Sequence, residues 1–152
     1  MTATTDSVAA LIARLREATG ADREIDADIA VATFATQSTA DDLIYARREG
    51  PSGATERGHY YIKDRSGYTL TTAPEFTASI DTALTLLPAE KMHLLDIWLS
   101  WEPNDAGVCP AATVRWYPPH KSGPDWHAQT ASGRTPALAL CVCALEARRQ
   151  TS

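Results

Sequence analysis

Apolar positions near the start of the chain recur at helical spacing: Val8, Leu11, Ile12 and Leu15. The pattern predicts a first helix, capped by Asp6 or Ser7 and ended by Gly20. A second, short helix is predicted from Asp22, with Ile25 and Ile29 as its stripe. Asp22, Glu24, Asp26 and Asp28 crowd its beginning, where the helix dipole favours negative charge. Residues 39–49 read as a third short helix. Thr39 and Asp42 have capping-box spacing, Leu43, Ile44 and Tyr45 supply apolar surface, and Gly50-Pro51 stops it. Residues 50–58 read as a loop.

From His59 the period changes to that of strands. Tyr60, Tyr61 and Ile62 form one arm of a predicted hairpin, and Tyr68, Thr69 and Leu70 form the other. The turn between them is Asp64-Arg65-Ser66-Gly67. Phe76, Ile80, Ala83, Leu84 and Leu87 then predict an amphipathic helix terminated by Pro88. Strands follow over about 92–102, 110–117 and 125–131, joined by a turn at Asn104, Asp105 and Gly107 and a loop at 120–124. Such short connections imply antiparallel pairing. The last predicted helix starts at Thr135, has Pro136 in its first position and runs to Arg149. Residues 137–145 are apolar nearly all round, which predicts burial.

The strand at 94–101 informs the architecture. Leu95, Ile97, Leu99 and Trp101 alternate with Leu94 and Trp98, so both faces carry large apolar groups. A sheet wet on one side alternates more cleanly. The expectation is an α+β fold: a three-layer α/β/α sandwich whose antiparallel sheet of about three strands, with an extra hairpin, is covered by helices. The alternative is that a second subunit covers one face. The chain has 152 residues, which suits a single domain spanning 1–152.

Three segments stand out together: LIARLREATGADREIDADIA (11–30), FTASIDTALTLLP (76–88) and TPALALCVCALEARR (135–149). In this order they resemble a family of small proteins encoded by phages and prophages of α-proteobacteria, the phage ABA-sandwich domain. The resemblance implies a phage accessory protein with an α/β/α sandwich. It implies no enzyme activity and carries over no functional residues. Residues 33–75 exceed the connection expected in that family and read as an insertion containing the aromatic hairpin.

Composition narrows the chemistry. The net charge of −5 opposes a general nucleic-acid binder, whose affinity rests on phosphate contacts. No apolar run is long enough to span a membrane, and the start of the chain lacks the pattern of a secretory signal. Three cysteines, Cys109, Cys141 and Cys143, give no disulfide framework and suit a reducing cytoplasm, which the resemblance implies is that of a bacterial host. Phosphate loops, nucleophile elbows and H-E-x-x-H are lacking. Cys141 and Cys143 fall on different sides of a helix and read as buried apolar groups. A zinc site from His120, His127 and Cys109 has no supporting ligand spacing. The acidic run 22–28 lacks the glycine of a calcium loop. No catalytic residue, metal or cofactor is expected.

Two aromatic-basic clusters remain. One is Tyr60, Tyr61, Lys63 and Arg65 on the hairpin. The other is Arg115, Tyr117, Lys121, Trp126 and His127 on the three-stranded sheet. Such mixtures stack bases, hold phosphates or bury at protein interfaces. Trp98 and Trp116 read as core packing. The expected function is a non-enzymatic phage or prophage accessory binding protein acting against host defence. It would sequester a nucleotide-type small molecule or block a defence protein, and a homo-oligomer is expected. The alternatives are a nucleic-acid-binding module, from the double-stranded-RNA-binding order of elements over 76–149, and a virion structural or assembly component.

Overall fold

The computed structural model describes residues 2–34, 37–38, 43–105, 107–118 and 126–151. The fold is α+β. Its elements are α1 (Thr2–Glu17), α2 (Arg23–Thr33), β1 (Gln37–Ser38), β2 (Leu43–Arg47), β3 (His59–Asp64), β4 (Gly67–Thr72), α3 (Ile80–Leu84), β5 (His93–Asn104), β6 (Gly107–Tyr117), β7 (His127–Ser132) and α4 (Pro136–Thr151). A single 3-10 turn, Ala89–Lys91, precedes β5. The strands form two antiparallel sheets, in the orders β1-β2-β3-β4 and β5-β6-β7.

Asp22 caps α2 as its position predicts. Its carboxylate accepts from the backbone N–H groups of Glu24 at 2.8 Å and Ile25 at 3.2 Å. The rest of the acidic run is held by cations as well as by the helix dipole. Asp26 is fully buried and accepts from Arg23 at 2.9 Å, from the Thr77 backbone N–H at 2.7 Å and from the Thr77 hydroxyl at 2.9 Å. Arg23 also donates to the carbonyls of Gly58 and Ala73, at 3.2 and 2.7 Å. Glu24 and Asp28 both accept from Arg48, and Asp28 accepts from Arg14 as well. The start of α2 thereby ties the hairpin β3–β4 and the segment after it to the body.

Two predicted helices need correction. Of 39–49, residues 39–42 lie outside the described residues, and Leu43–Arg47 is strand β2. Leu43, Ile44 and Tyr45 suit a strand better than a helix, and β3 supplies the ladder, with Tyr45 opposite Lys63 and Arg47 opposite Tyr61. Over 76–88 only Ile80–Leu84 is helical. Thr77 is drawn to Asp26, and Ser79 caps the helix late by accepting from the Thr82 N–H at 3.3 Å. Phe76, Leu86 and Leu87 are nevertheless buried. The apolar spacing reported burial correctly, not backbone.

The core centres on α4. Leu138, Leu140, Val142 and Leu145 are inaccessible to solvent. α4 packs on α1, on α3 and on the inner face of β6 and β7, while α2 joins α1 to β3. The Thr135 hydroxyl accepts from the Leu138 N–H at 3.2 Å at the helix start. Gly133 makes the approach from β7 to α4: a Cβ there would stand 2.6 Å from the Ala139 backbone nitrogen. The cover expected on both faces of β5 is present only in part. α4 sits over β6 and β7, leaving Leu95 and Leu99 largely accessible on β5 and Val108 64% exposed near the hairpin tip. No described helix is long and apolar enough to cross a membrane.

Candidate functional site

The outward face of β5–β7 gathers the most chemistry. Register places Asp96 opposite Arg115, Trp98 opposite Thr113, and Ala128 beside Arg115 on the far strand. A bulge between Leu94 and Asp96 sets this alignment. It also moves Leu94 opposite Trp116, onto the helix side, whereas simple alternation groups it with Trp98. Arg115 lies between two indoles, its guanidinium carbon 4.9 Å from the Trp98 ring centre and 5.3 Å from that of Trp126. Asp96 accepts from both Nε, at 2.7 Å, and an Nη of Arg115. This hydrogen-bonded pairing lowers the Asp96 carboxyl below its ordinary value and raises the Arg115 guanidinium above its own. The result is a Trp–Arg–Trp stack held by a fork of hydrogen bonds on an accessible surface.

Of the residues expected on this sheet, the structure brings Arg115 and Trp126 together. Tyr117 follows Arg115 on the same face and is half-buried. Lys121 lies outside the described residues. His127 turns to the helix side, where its ring stacks on Trp116 at 5.7 Å between centres and 23° between planes. The core reading holds for Trp116, which is 2% exposed, and fails for Trp98, which is 44% exposed. Trp98 belongs to the site because no described helix covers its strand. Asp96 was missed, since its tie to Arg115 spans two strands and becomes visible only with the register.

The hairpin cluster divides between faces. Tyr60 packs against the core. Tyr61 and Lys63 alternate to the other face, which they share with Arg47 and Tyr68. There Lys63 and Arg47 both approach the Tyr68 ring, at 5.1 and 5.7 Å, and Arg47 donates to the Tyr68 hydroxyl at 3.0 Å. Tyr61 meets Tyr68 edge to face at 6.2 Å. Arg65 is exposed at the turn.

Cys141 and Cys143 are buried, and desolvation pushes both thiols up to about 12. Their sulfurs donate to the carbonyls of Phe76 and Gln129, both at 3.1 Å. Such thiols are inert as nucleophiles at neutral pH. Cys109 pairs with Glu102 near the hairpin tip, while His127 pairs with Trp116 at the opposite end of β6, so these two cannot share a metal. His120 lies outside the described residues. Among the described residues no group of three or more His, Cys, Asp or Glu is placed to hold a metal ion.

A cleft of about 480 Å³ opens beside the last turn of α4, with Lys91, Arg148 and Arg149 on its wall. Arg148 donates to the Leu86 carbonyl at 2.6 Å, and Arg149 pairs with Glu146 at 3.2 Å. These cations also complement the C-terminal dipole of α4. In comparisons with known proteins the chain matches no family model, no curated protein and no solved structure.

Proposed function

We propose that this chain is a non-enzymatic binding protein that covers part of a partner protein with the outward face of β5–β7. One observation carries the reading: the accessible Trp98–Arg115–Trp126 stack, locked by Asp96. Tryptophan and arginine dominate the energetic centres of protein interfaces. A stack already held in place loses little side-chain freedom on binding. The same face carries Asp96 against Arg115 and Glu102 farther along β5, a poor match to a run of phosphates. The resemblance to phage ABA-sandwich proteins supplies the setting of a phage or prophage accessory protein, one that blocks a host defence protein; the free cysteines suit the bacterial cytoplasm, and the apolar groups on both faces of β5 with the aromatic hairpin suit a homo-oligomer.

A second reading rests on the other sheet. Lys63 and Arg47 flank the Tyr68 ring, an arrangement suited to an anionic, planar ligand of nucleotide type.

The test begins with host proteins captured on the wild-type chain, identified and purified for titration calorimetry. Blocking predicts a stoichiometric complex weakened about 10- to 100-fold by Trp98→Ala, the range of a hot-spot residue. An identified complex indifferent to both Trp98→Ala and Arg115→Ala would remove the outward face from the interface. A nucleotide retained in native mass spectrometry, and lost with Lys63→Ala, would favour the second reading.

A further inference from the structure

β5 is an edge strand of 12 residues, one side of its backbone paired with β6 and the other without a partner strand among the described residues. Proteins blunt such edges with lysine, proline, bulges or cover. Here the bulge at Leu94/Asp96 and Pro103 mark the two ends of a stretch with neither lysine nor proline between them. Within it Ile97, Trp98, Leu99 and Trp101 stand at the open edge, and Trp101 is 67% exposed. We propose that this edge pairs antiparallel with β5 of a second copy, joining two three-stranded sheets into one of six strands. The inference rests on the homo-oligomer reading above and specifies its geometry.

An antiparallel strand can pair with its own copy about a two-fold axis, so one surface serves both partners. Charge excludes one register, and the pairing of the apolar groups favours another. Centring the axis on Leu99 sets Asp96 opposite Glu102 of the other copy, two carboxylates directly across a ladder. Centring it on Trp98 sets Asp96 opposite Ser100 and removes that clash. The helix-side row is then apolar, with Ile97 opposite Leu99. On the outward face Trp98 meets its own counterpart, at the 4.5–5.5 Å Cβ spacing typical of cross-strand neighbours. Since each Trp98 already stacks on Arg115, the dimer carries one continuous row: Trp126, Arg115, Trp98, then the same three in reverse. The exposed parts of these side chains and the strand backbone amount to roughly 500 Å² per copy, about 1,000 Å² in all; this is smaller than a standard interface of ~800 Å² per partner and suits a weak, concentration-dependent dimer. Ladder hydrogen bonds add to it. Two chains of charge −5 repel, so salt strengthens the pairing.

Sedimentation equilibrium of the full chain across micromolar to high-micromolar concentration is the first measurement. A species of twice the 16.4 kDa chain mass is expected, favoured by added salt. Leu99→Lys should return it to monomer with an unchanged circular dichroism spectrum. In a Cys109→Ser background, Trp98→Cys should form a disulfide with its own copy on mild oxidation, and Val108→Cys should not. Hydrogen exchange on the unaltered chain needs no variant: the alternate amides within residues 97–101 that do not bond to β6 should lose protection on dilution while those of β6 keep theirs. A chain monomeric throughout the range overturns both the pairing and the homo-oligomer reading. A dimer that survives Leu99→Lys, or shows no concentration-dependent protection in β5, overturns the pairing alone.

Discussion

α4 and β5 draw on overlapping sets of apolar residues and end in opposite environments. Along α4, Leu138, Leu140 and Leu145 are sealed between a sheet and two helices. Along β5, Leu94, Leu95 and Leu99 remain nearly half exposed. Hydrophobicity does not separate them; what stands opposite does. α4 packs on β6 and β7, while β5 lies at the edge of that sheet, beyond β6. Apolar groups that a fold leaves at an edge mark a surface suited to recognition rather than to stability.

The contrast breaks or sharpens under substitution. The largest effect is expected in α4. Leu140→Ala should lower unfolding free energy by about 2–5 kcal/mol, read from the urea midpoint, because the cavity cannot collapse. Next is Gly133→Ala, where the new methyl meets the Ala139 backbone rather than a yielding side chain; about 1–3 kcal/mol is expected.

The buried thiols come third. The folded chain keeps their protons up to about 12, whereas the unfolded chain releases them from 9.0. Their contribution is whole below pH 9 and is lost as pH rises toward 12, by roughly 2 kcal/mol per thiol near the middle of that window. Urea melts at rising pH should show the loss, and a Cys141→Ala/Cys143→Ala chain should show less of it.

On β5 the effects shrink. Asp96→Asn should leave the urea midpoint nearly unchanged, since the ion pair is solvent-accessible. Trp101→Ala, measured in the monomeric Leu99→Lys background, should stay within about 0.5 kcal/mol although it deletes a larger side chain than Leu140→Ala. Equal losses for these two would erase the distinction between the regions.

What could be read in advance follows from the same physics. α4, the Asp22 cap and the hairpin 59–72 rest on local signals: uniform apolarity, a cap carboxylate, a turn between alternating arms. Leu43, Ile44 and Tyr45 fit either state by themselves, and only the partner strand β3 decided for β2. Phe76 and Leu87 have helical spacing, but Asp26, some fifty residues upstream, engages Thr77 ahead of the helix. Within the site, Arg115 and Trp126 were visible as an aromatic-basic mixture. Asp96 and Trp98 were not, because their roles come from register and from the lack of a covering helix. Tyr60 and Tyr61 are neighbours in sequence and sit on opposite faces through strand alternation.

The clasp of Arg23, Asp26 and Thr77 has a consequence for how this protein can diversify. It ties the chain just before residue 33 to the chain just after residue 75, across 51 positions. Once those ends are fastened, lengthening the intervening segment adds little: doubling a flexible loop raises its closure entropy by only about 0.6 kcal/mol. The segment bearing β2, β3 and β4 can in that sense lengthen at its turns at little cost, so long as Arg48 keeps its carboxylates on α2 and Tyr60 its place against the core.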